Sequence, residues 1–86
     1  MKYNLKIESR ARKDLQSFDI TTRKRIAKKL KYFIEQSDPL QFAKKLIDSS
    51  GGDYRWRVGH YRVVFDVNNR EIRLLRVQHR KDVYRK

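Results

Sequence analysis

The chain has no cysteine, so it can form neither a disulfide framework nor a thiolate metal site. Its two histidines are too few to argue for a metal centre. Long apolar runs are also missing, since none approaches the ~20 residues of a membrane-spanning helix. Lys2, Lys6 and Glu8 would interrupt the apolar core of a signal peptide. We therefore expect a cytoplasmic protein that needs no metal or other cofactor and does not enter a membrane.

Acidic residues are scarce as well. Ten Asp and Glu stand against 23 Lys and Arg, which gives a net charge of 23 − 10 = +13. This excess is larger than solubility requires, and it favours a polyanionic partner such as nucleic acid or an acidic protein. A chain of 86 residues has room for one small core that buries about 60% of the unfolded surface. We expect a single domain over residues 1–86.

The apolar spacing of the first half predicts one strand and two helices. Tyr3, Leu5 and Ile7 alternate with polar residues as in a strand, and Ser9 is a candidate N-cap for the helix that follows. Cap candidates between Asp19 and Thr22 separate this helix from a second one. Each helix has a stripe of apolar residues: Ala11, Leu15 and Phe18 in the first, and Ile26, Leu30, Phe33 and Ile34 in the second. We expect the second helix to extend over about Thr22 to Gln36.

The segment between the second helix and the last third of the chain has mixed character. Pro39 prevents the helix from continuing. Phe42, Leu46 and Ile47 fit either a short helix or a packed loop. Neither alternative is excluded by the pattern.

The last third of the chain predicts three antiparallel strands in a meander. Trp56 and Val58 alternate with Arg55 and Arg57, as in a strand with one apolar and one cationic face. Two turn-forming pairs separate the strands: Gly59-His60 and Asn68-Asn69. We expect an α+β domain of order β-α-α-β-β-β, in which an antiparallel sheet carries the helical hairpin on one face. The expected core comprises Ile26, Leu30, Phe33, Trp56, Val58 and Leu75, although adjacent Leu74 and Leu75 leave the parity of the third strand ambiguous.

The residue types available for chemistry are Arg, His and Tyr, since no metal-ligand pattern, phosphate-binding glycine loop or carboxylate pair is visible. This set suits metal-free cleavage of RNA, in which the ribose 2′-OH attacks the adjacent phosphate. A base takes the proton, cations stabilise the charge at phosphorus, and an acid protonates the leaving oxygen. His79 is the candidate base because Arg76, Arg80 and Lys81 disfavour its imidazolium form, whereas His60 lies in a turn and is set aside.

Each candidate also has a structural interpretation. On spacing alone, His79 is equally a surface histidine at the end of a strand. Arg62 and Arg80 are either phosphate clamps or solvated surface residues. Tyr84 either stacks on a base, donates a proton or anchors the end of the chain. Lys28 and Lys29 belong to a run of helix cations without an acid, which is either a solvated helix face or a patch that follows a phosphate backbone.

The order of elements and two motifs resemble the RelE/ParE toxin superfamily. The motifs are Tyr54-Arg55-Trp56-Arg57-Val58-Gly59-His60-Tyr61-Arg62-Val63-Val64-Phe65 and Arg76-Val77-Gln78-His79-Arg80-Lys81-Asp82-Val83-Tyr84-Arg85. The resemblance covers nearly the whole chain. In its RelE branch it implies a type II toxin that cleaves mRNA in the ribosomal A site and is silenced by an acidic, RelB-like antitoxin. Such a toxin is expected to be monomeric alone and hetero-oligomeric with its antitoxin.

The resemblance also implies roles for single residues. Arg62 matches a phosphate-binding arginine, Arg80 an arginine that stabilises the transition state, and Tyr84 a tyrosine that stacks on the substrate. The best-known relatives carry lysines at the positions of Arg55 and Arg57, and since arginine is not deprotonated in proteins, proton transfer falls to His79 or Tyr84. The expected catalytic residues are Arg62, His79, Arg80 and Tyr84, and the expected substrate-binding residues are Arg55, Arg57, Arg76, Lys81, Lys28 and Lys29.

Two other functions stay open on the sequence. The ParE branch of the superfamily poisons DNA gyrase, shares the fold and typically lacks this set of Arg, His and Tyr. A non-catalytic module that binds RNA or the ribosome would need only the charge of +13.

Overall fold

The structure, a computed structural model, describes residues 2–47 and 52–81, which form two α-helices, one 3₁₀ helix and five strands. In chain order they are β1 (Asn4–Ile7), α1 (Ser9–Ser17), α2 (Ile20–Glu35), a 3₁₀ helix (Pro39–Phe42), β2 (Lys44–Lys45), β3 (Tyr54–Val58), β4 (Tyr61–Asn68) and β5 (Glu71–His79). The predicted α+β class with a helical hairpin is confirmed. No helix within these ranges is long and apolar enough to cross a membrane.

The strands form one sheet in the order β1-β5-β4-β3-β2. The antiparallel meander of β3, β4 and β5 is confirmed. Two details differ from the expected antiparallel sheet. β1 lies parallel to β5, and Lys44–Lys45 add a fifth strand at the edge of β3. The sequence could not predict the direction of β1, because β1 pairs with residues that lie more than 60 positions away in the chain. It could not predict β2 either, because a strand of two residues is too short to show an alternating pattern.

The two helices begin in different ways. Asp19 is the N-cap of α2, and its carboxylate accepts a hydrogen bond of 2.9 Å from the backbone N–H of Thr22. Interaction with the Thr22 side chain, and then with its backbone N–H, holds the pKa of Asp19 below its usual value. The predicted cap of α1 is wrong. Ser9 is already helical, and the N-cap position is Glu8, whose side chain makes no capping hydrogen bond.

The core lies between α2 and the sheet. Phe33 of α2 stacks on Trp56 of β3 with ring centroids 4.7 Å apart, and Trp56 packs on Phe65 of β4 at 4.1 Å. The indole N–H of Trp56 donates to the carbonyl of Pro39 over 3.1 Å, which ties the 3₁₀ helix to β3. Five of the expected core residues are buried: Ile26, Leu30, Phe33, Trp56 and Val58.

A bulge in β5 settles the parity that the sequence left ambiguous. Val64 lies opposite Arg76 and Phe65 lies opposite Leu74, so Leu75 is an extra residue without a partner in β4. Leu74 is fully buried in the core cluster, whereas Leu75 is only half-buried and lies outside that cluster. Leu75 is therefore partly buried but does not belong to the core, because the bulge shifts the pattern by one residue.

Asp14 of α1 joins the helix to β5 beyond the end of β1. Its carboxylate accepts two hydrogen bonds from the guanidinium of Arg76, at 2.8 and 3.1 Å, and one of 2.8 Å from the backbone N–H of Val77. β1 pairs with β5 only as far as Leu74, so Asp14 supplies an acceptor where the strand partner has ended. The same carboxylate holds the pKa of Arg76 above its usual value.

Removing the Asp14 carboxylate should destabilise the fold. Asp14→Ala leaves both Arg76 and the Val77 N–H without a partner, so the free energy of unfolding should fall by about 1–3 kcal/mol in urea denaturation. Asp14→Asn keeps one acceptor and should lie between wild type and Asp14→Ala. Gln16→Ala, an exposed change on the same helix, is the control. Equal stabilities of Asp14→Ala and Gln16→Ala would show that this contact contributes nothing.

The Asp19 cap should give a pH-dependent contribution to stability. Its folded pKa is lowered, so the contribution is fully present above the unfolded pKa, near about 4, and is lost as the pH falls through the folded pKa. The Tm of Asp19→Ala should therefore lie below that of wild type at pH 7, and the difference should shrink at acid pH. Asp19→Asn keeps the cap acceptor and should retain most of the Tm at pH 7. Circular dichroism melts between pH 7 and pH 2 measure this, and a constant difference would contradict it.

Candidate functional site

Five cationic side chains on the sheet or at its end converge on one cleft. It has a volume of about 140 Å³ and lies beside β3, between the 3₁₀ helix and the turn that joins β3 to β4. Among the residues that the structure describes, no acidic side chain lines it, and five of its nine lining residues are cations. The lining residues are Phe42, Lys44, Arg55, Trp56, Arg57, His60, Tyr61, Arg62 and Arg80.

At two places in this cleft, cations on neighbouring strands lie directly opposite each other. Lys44 of β2 is the partner of Arg55, and Arg57 is the partner of Arg62. Side chains in this relation have Cβ atoms about 4.5–5.5 Å apart, and like charges there are destabilising. Because Trp56 faces the core, Arg55 and Arg57 lie on the other side of β3, as predicted. The sheet thus gathers positive charge at a cost that a bound anion would offset.

The cations of the cleft have no acidic partners in the part of the chain that the structure describes. The ion pairs within residues 2–47 and 52–81 join Arg73 to Glu8 and Arg76 to Asp14, and both lie outside the cleft. Arg62 is the strongest case, because its Nε is buried and has no hydrogen-bond partner there. A buried unsatisfied donor costs about 1–3 kcal/mol. An anion at this position would remove that cost.

The end of β5 is held beside the turn between β3 and β4. The backbone N–H of Arg80 donates to the carbonyl of His60 over 2.7 Å. The ring of His79 lies edge-to-face on Tyr61, with centroids 5.0 Å apart, and 6.0 Å from the ring of His60. Nδ1 of His79 accepts the backbone N–H of Lys81 over 3.1 Å. The neutral ring of His79 therefore carries its proton on Nε2.

The cleft contains four of the predicted site residues and several that were not predicted. The four are all arginines: Arg55, Arg57, Arg62 and Arg80. His60, set aside on the sequence because it lies in a turn, lines the cleft. Phe42 and Lys44 come from the segment of mixed character, whose pattern gave no reason to place them beside β3. Only the position of that segment against the sheet reveals them.

The other predicted site residues lie elsewhere. His79 contacts Tyr61 behind the cleft lining, Arg76 is held by Asp14, and Lys81 is exposed. Lys28 and Lys29 are exposed on α2, with the ammonium of Lys29 5.1 Å from the ring centroid of Tyr32. Tyr84 lies outside the described residues. Within those residues, no three His, Asp or Glu side chains are grouped so that they could hold a metal ion.

The chain matches a family model along almost its whole length. The family is the ParE toxin of type II toxin–antitoxin systems, and the match covers residues 5–84. This chain belongs to that toxin family. The predicted resemblance to the RelE/ParE superfamily is thus confirmed. No curated protein matches the toxin.

Solved structures of similar toxins share the fold. The archaeal RelE–RelB complex of Pyrococcus horikoshii is 31% identical over 93% of this toxin and 97% of that chain, with a TM-score of 0.71. The RelB–RelE complex of Methanococcus jannaschii is 30% identical over 93% and 95%, also with a TM-score of 0.71. The RelBE2 complex of Mycobacterium tuberculosis is 25% identical over 92% and 99%, with a TM-score of 0.70.

Inorganic phosphate should stabilise the toxin through the cleft. An anion that binds only the folded state adds RT ln(1 + [L]/Kd), about 2.7 kcal/mol at 100 times Kd. Arg57→Gln and Arg62→Gln should each remove most of the phosphate-induced rise in Tm, measured at constant ionic strength. Without phosphate, Arg57→Gln should not lower the Tm, because it removes a like-charged cross-strand contact.

The matched control is Arg10→Gln, which makes the same charge change at an exposed position on α1. It should keep the full phosphate effect. If Arg10→Gln reduced the effect as much as Arg62→Gln, phosphate would be acting by general screening and the cleft would not be an anion site.

Proposed function

We propose that this toxin is a ribosome-dependent endoribonuclease that cleaves mRNA without a metal ion, by attack of the ribose 2′-OH on the adjacent phosphate. The observation that carries the proposal is one cleft lined by Arg55, Arg57, Arg62 and Arg80, without carboxylate partners in the described part of the chain. Guanidinium groups bind phosphate oxygens through paired, charge-assisted hydrogen bonds. The same donors stabilise the additional negative charge that appears on phosphorus in the transition state.

The arginines divide into two roles in this proposal. Arg55, Arg57 and Arg62 hold the substrate, since they lie on adjacent strands and Arg62 offers a buried, unpartnered donor. Arg80 stabilises the transition state, because its backbone is anchored to the His60 carbonyl and its side chain reaches the same cleft from the end of β5. None of these side chains can act as a base, because guanidinium keeps its proton in proteins.

Proton transfer falls to the two histidines at this end of the sheet. His60 lines the cleft and is exposed, and the ring of His79 lies 6.0 Å from it. With Nδ1 engaged by Lys81, a neutral His79 donates from Nε2, and it can accept a proton only if that contact opens. We therefore assign proton acceptance to His60 in this conformation and hydrogen-bond donation to His79. The leaving 5′-oxygen also needs a proton, and we assign its donation to Tyr84, which the resemblance implies to be at the substrate.

The proposed partners follow from the charge and from the relatives. The solved structures from Pyrococcus, Methanococcus and Mycobacterium are complexes of a toxin with its antitoxin. We propose that this toxin likewise binds a RelB-like antitoxin whose carboxylates cover the cleft cations, as electrostatic complementarity requires. The free toxin would be a monomer in the cytoplasm, and mRNA in the ribosomal A site would be its substrate.

The family model favours one other function. Its description is that of the ParE toxin, and the ParE branch acts on DNA gyrase. Inhibiting gyrase requires a binding surface and no catalytic cleft, so the unpaired arginines would then serve protein contacts only.

Mapping RNA and DNA ends after expression of the toxin separates these functions. New 5′ ends inside the codons of translated messages, with a 2′,3′-cyclic phosphate on the upstream fragment, are expected for the ribonuclease. Intact messages together with double-strand DNA breaks would identify gyrase as the target. Intact RNA and DNA with retained ribosome binding would indicate a non-catalytic module.

Arg80→Ala should separate chemistry from binding. If Arg80 acts on charge that appears only in the transition state, the single-turnover rate of cleavage should fall by about 10²–10³ while ribosome affinity changes little. Lys28→Ala, an exposed change on α2, should affect at most the binding step and its salt dependence. If Arg80→Ala cleaved RNA at the wild-type single-turnover rate, Arg80 would have no role in the reaction.

The two histidines should differ in their pH profiles. Loss of a proton-transfer group costs about 10²–10⁴ in rate, so His60→Ala should lose the limb of the pH–rate profile that reports the base. His79→Ala should lower the rate but keep that limb, because His79 donates a hydrogen bond in this arrangement. If only His79→Ala lost the limb, His79 would be the base and its contact with Lys81 would open during the reaction.

A further inference from the structure

Phe42 brings an aromatic ring to the cleft that holds the arginines. It lines the cleft together with Lys44 and Arg55, and 37% of it stays exposed. We propose that Phe42 is a stacking platform for the nucleobase next to the phosphate that the arginines bind. The proposal rests on the ribonuclease function above and adds a base-binding subsite to it.

The ring is held in place from its inner side. It packs on the buried ring of Phe33 with centroids 5.4 Å apart, and makes an edge-to-face pair with Tyr32 at 5.7 Å. Phe33 in turn stacks on Trp56, whose indole N–H fixes the carbonyl of Pro39 at the start of the same 3₁₀ helix. A surface that is already ordered loses little conformational entropy when a ligand binds to it.

Tyr32 does not offer an equivalent platform. It is 46% exposed, but the ammonium of Lys29 lies over its ring, 5.1 Å from the centroid. Tyr32 is also absent from the lining of the cleft, so Phe42 is the member of this aromatic cluster that combines exposure with proximity to the arginines.

A nucleotide matches this arrangement because it carries an anionic phosphate and a flat base close together. The like-charged pair of Lys44 and Arg55 lies beside Phe42 in the cleft, so cations that can bind a phosphate and an exposed aromatic ring that can contact a base line the same space. Single-stranded RNA is commonly recognised in this way, with backbone cations and aromatic rings under the bases. Every base has a π face, so we expect the subsite to bind any of the four with little preference.

The test uses a short single-stranded RNA that cannot be cleaved, with 2′-O-methyl riboses and 2-aminopurine beside the central phosphate. The fluorescence of 2-aminopurine is quenched when it stacks. Phe42→Leu keeps an apolar side chain against Phe33 and Tyr32 but lacks a ring. It should weaken binding at low salt by about 5–150-fold and lose the quenching. Phe42→Tyr should retain both, and Ile20→Ala, an exposed apolar position outside the cleft, should bind as wild type.

A second RNA, with an abasic site in place of 2-aminopurine, distinguishes loss of base stacking from partial unfolding of a variant. Wild type should lose affinity for the abasic RNA, and Phe42→Leu should bind both RNAs equally. This comparison is made within each variant, so a reduced folded fraction cannot imitate it.

Three outcomes would overturn the proposal. They differ in whether the arginine cleft is still supported as the RNA-binding site. If Arg57→Gln and Arg62→Gln weaken binding while Phe42→Leu binds and quenches as wild type does, the base subsite is wrong and the arginine cleft stands. If neither the arginine variants nor Phe42→Leu change binding, the cleft is not the RNA site and the proposed function fails with it. If Phe42→Leu leaves RNA binding unchanged but weakens binding of an acidic antitoxin peptide, the ring belongs to a protein interface.

Discussion

The packing of Trp56 is the contact on which the rest of this structure depends. Its ring lies between Phe33 of α2 and Phe65 of β4, and its N–H binds the carbonyl of Pro39. Burying this side chain directs Arg55 and Arg57 to the opposite side of β3, because neighbouring residues of a strand face opposite ways. The hydrogen bond to Pro39 also places the 3₁₀ helix beside β3. One buried side chain thus positions both the cationic wall of the cleft and the segment that carries its aromatic ring.

Four aspartates of the described chain stabilise the fold and do not neutralise the cleft. Each of them accepts a hydrogen bond from a backbone N–H. Asp14 does so on the bulged strand β5, Asp19 and Asp38 at the starts of α2 and the 3₁₀ helix, and Asp66 just before β3. Their carboxylates satisfy donors that the regular structure leaves open. The arginines and Lys44 around the cleft keep their charge without such partners, which costs stability. A site that binds phosphate requires that separation, because an internal carboxylate would compete with the ligand.

The features that the sequence did not predict share a physical origin. β2 is two residues long, and a contact with β3 rather than a repeating pattern creates it. The bulge at Leu75 depends on how β5 pairs with β4, so two adjacent leucines could not reveal it. Asp14 looks like any surface acid of an amphipathic helix until α1 lies beside the open edge of β5. The same reason applies to Phe42 and His60. They line the cleft because of contacts with residues that are distant in the chain.

Local periodicity and composition determined the class of this protein. The alternation around Trp56, the helical spacing from Ile26 to Phe33 and the excess of 23 cations over 10 acids are properties of neighbouring residues and simple counts, so they can be read without a structure. They predicted the helical hairpin, the meander, the buried face and an anionic partner. Only the tertiary structure decided which cations lie together. Arg55, Arg57, Arg62 and Arg80 meet in one cleft, whereas Arg76 turns to Asp14. That division depends on strand order, register and the bulge, which arise from contacts between residues far apart in the chain.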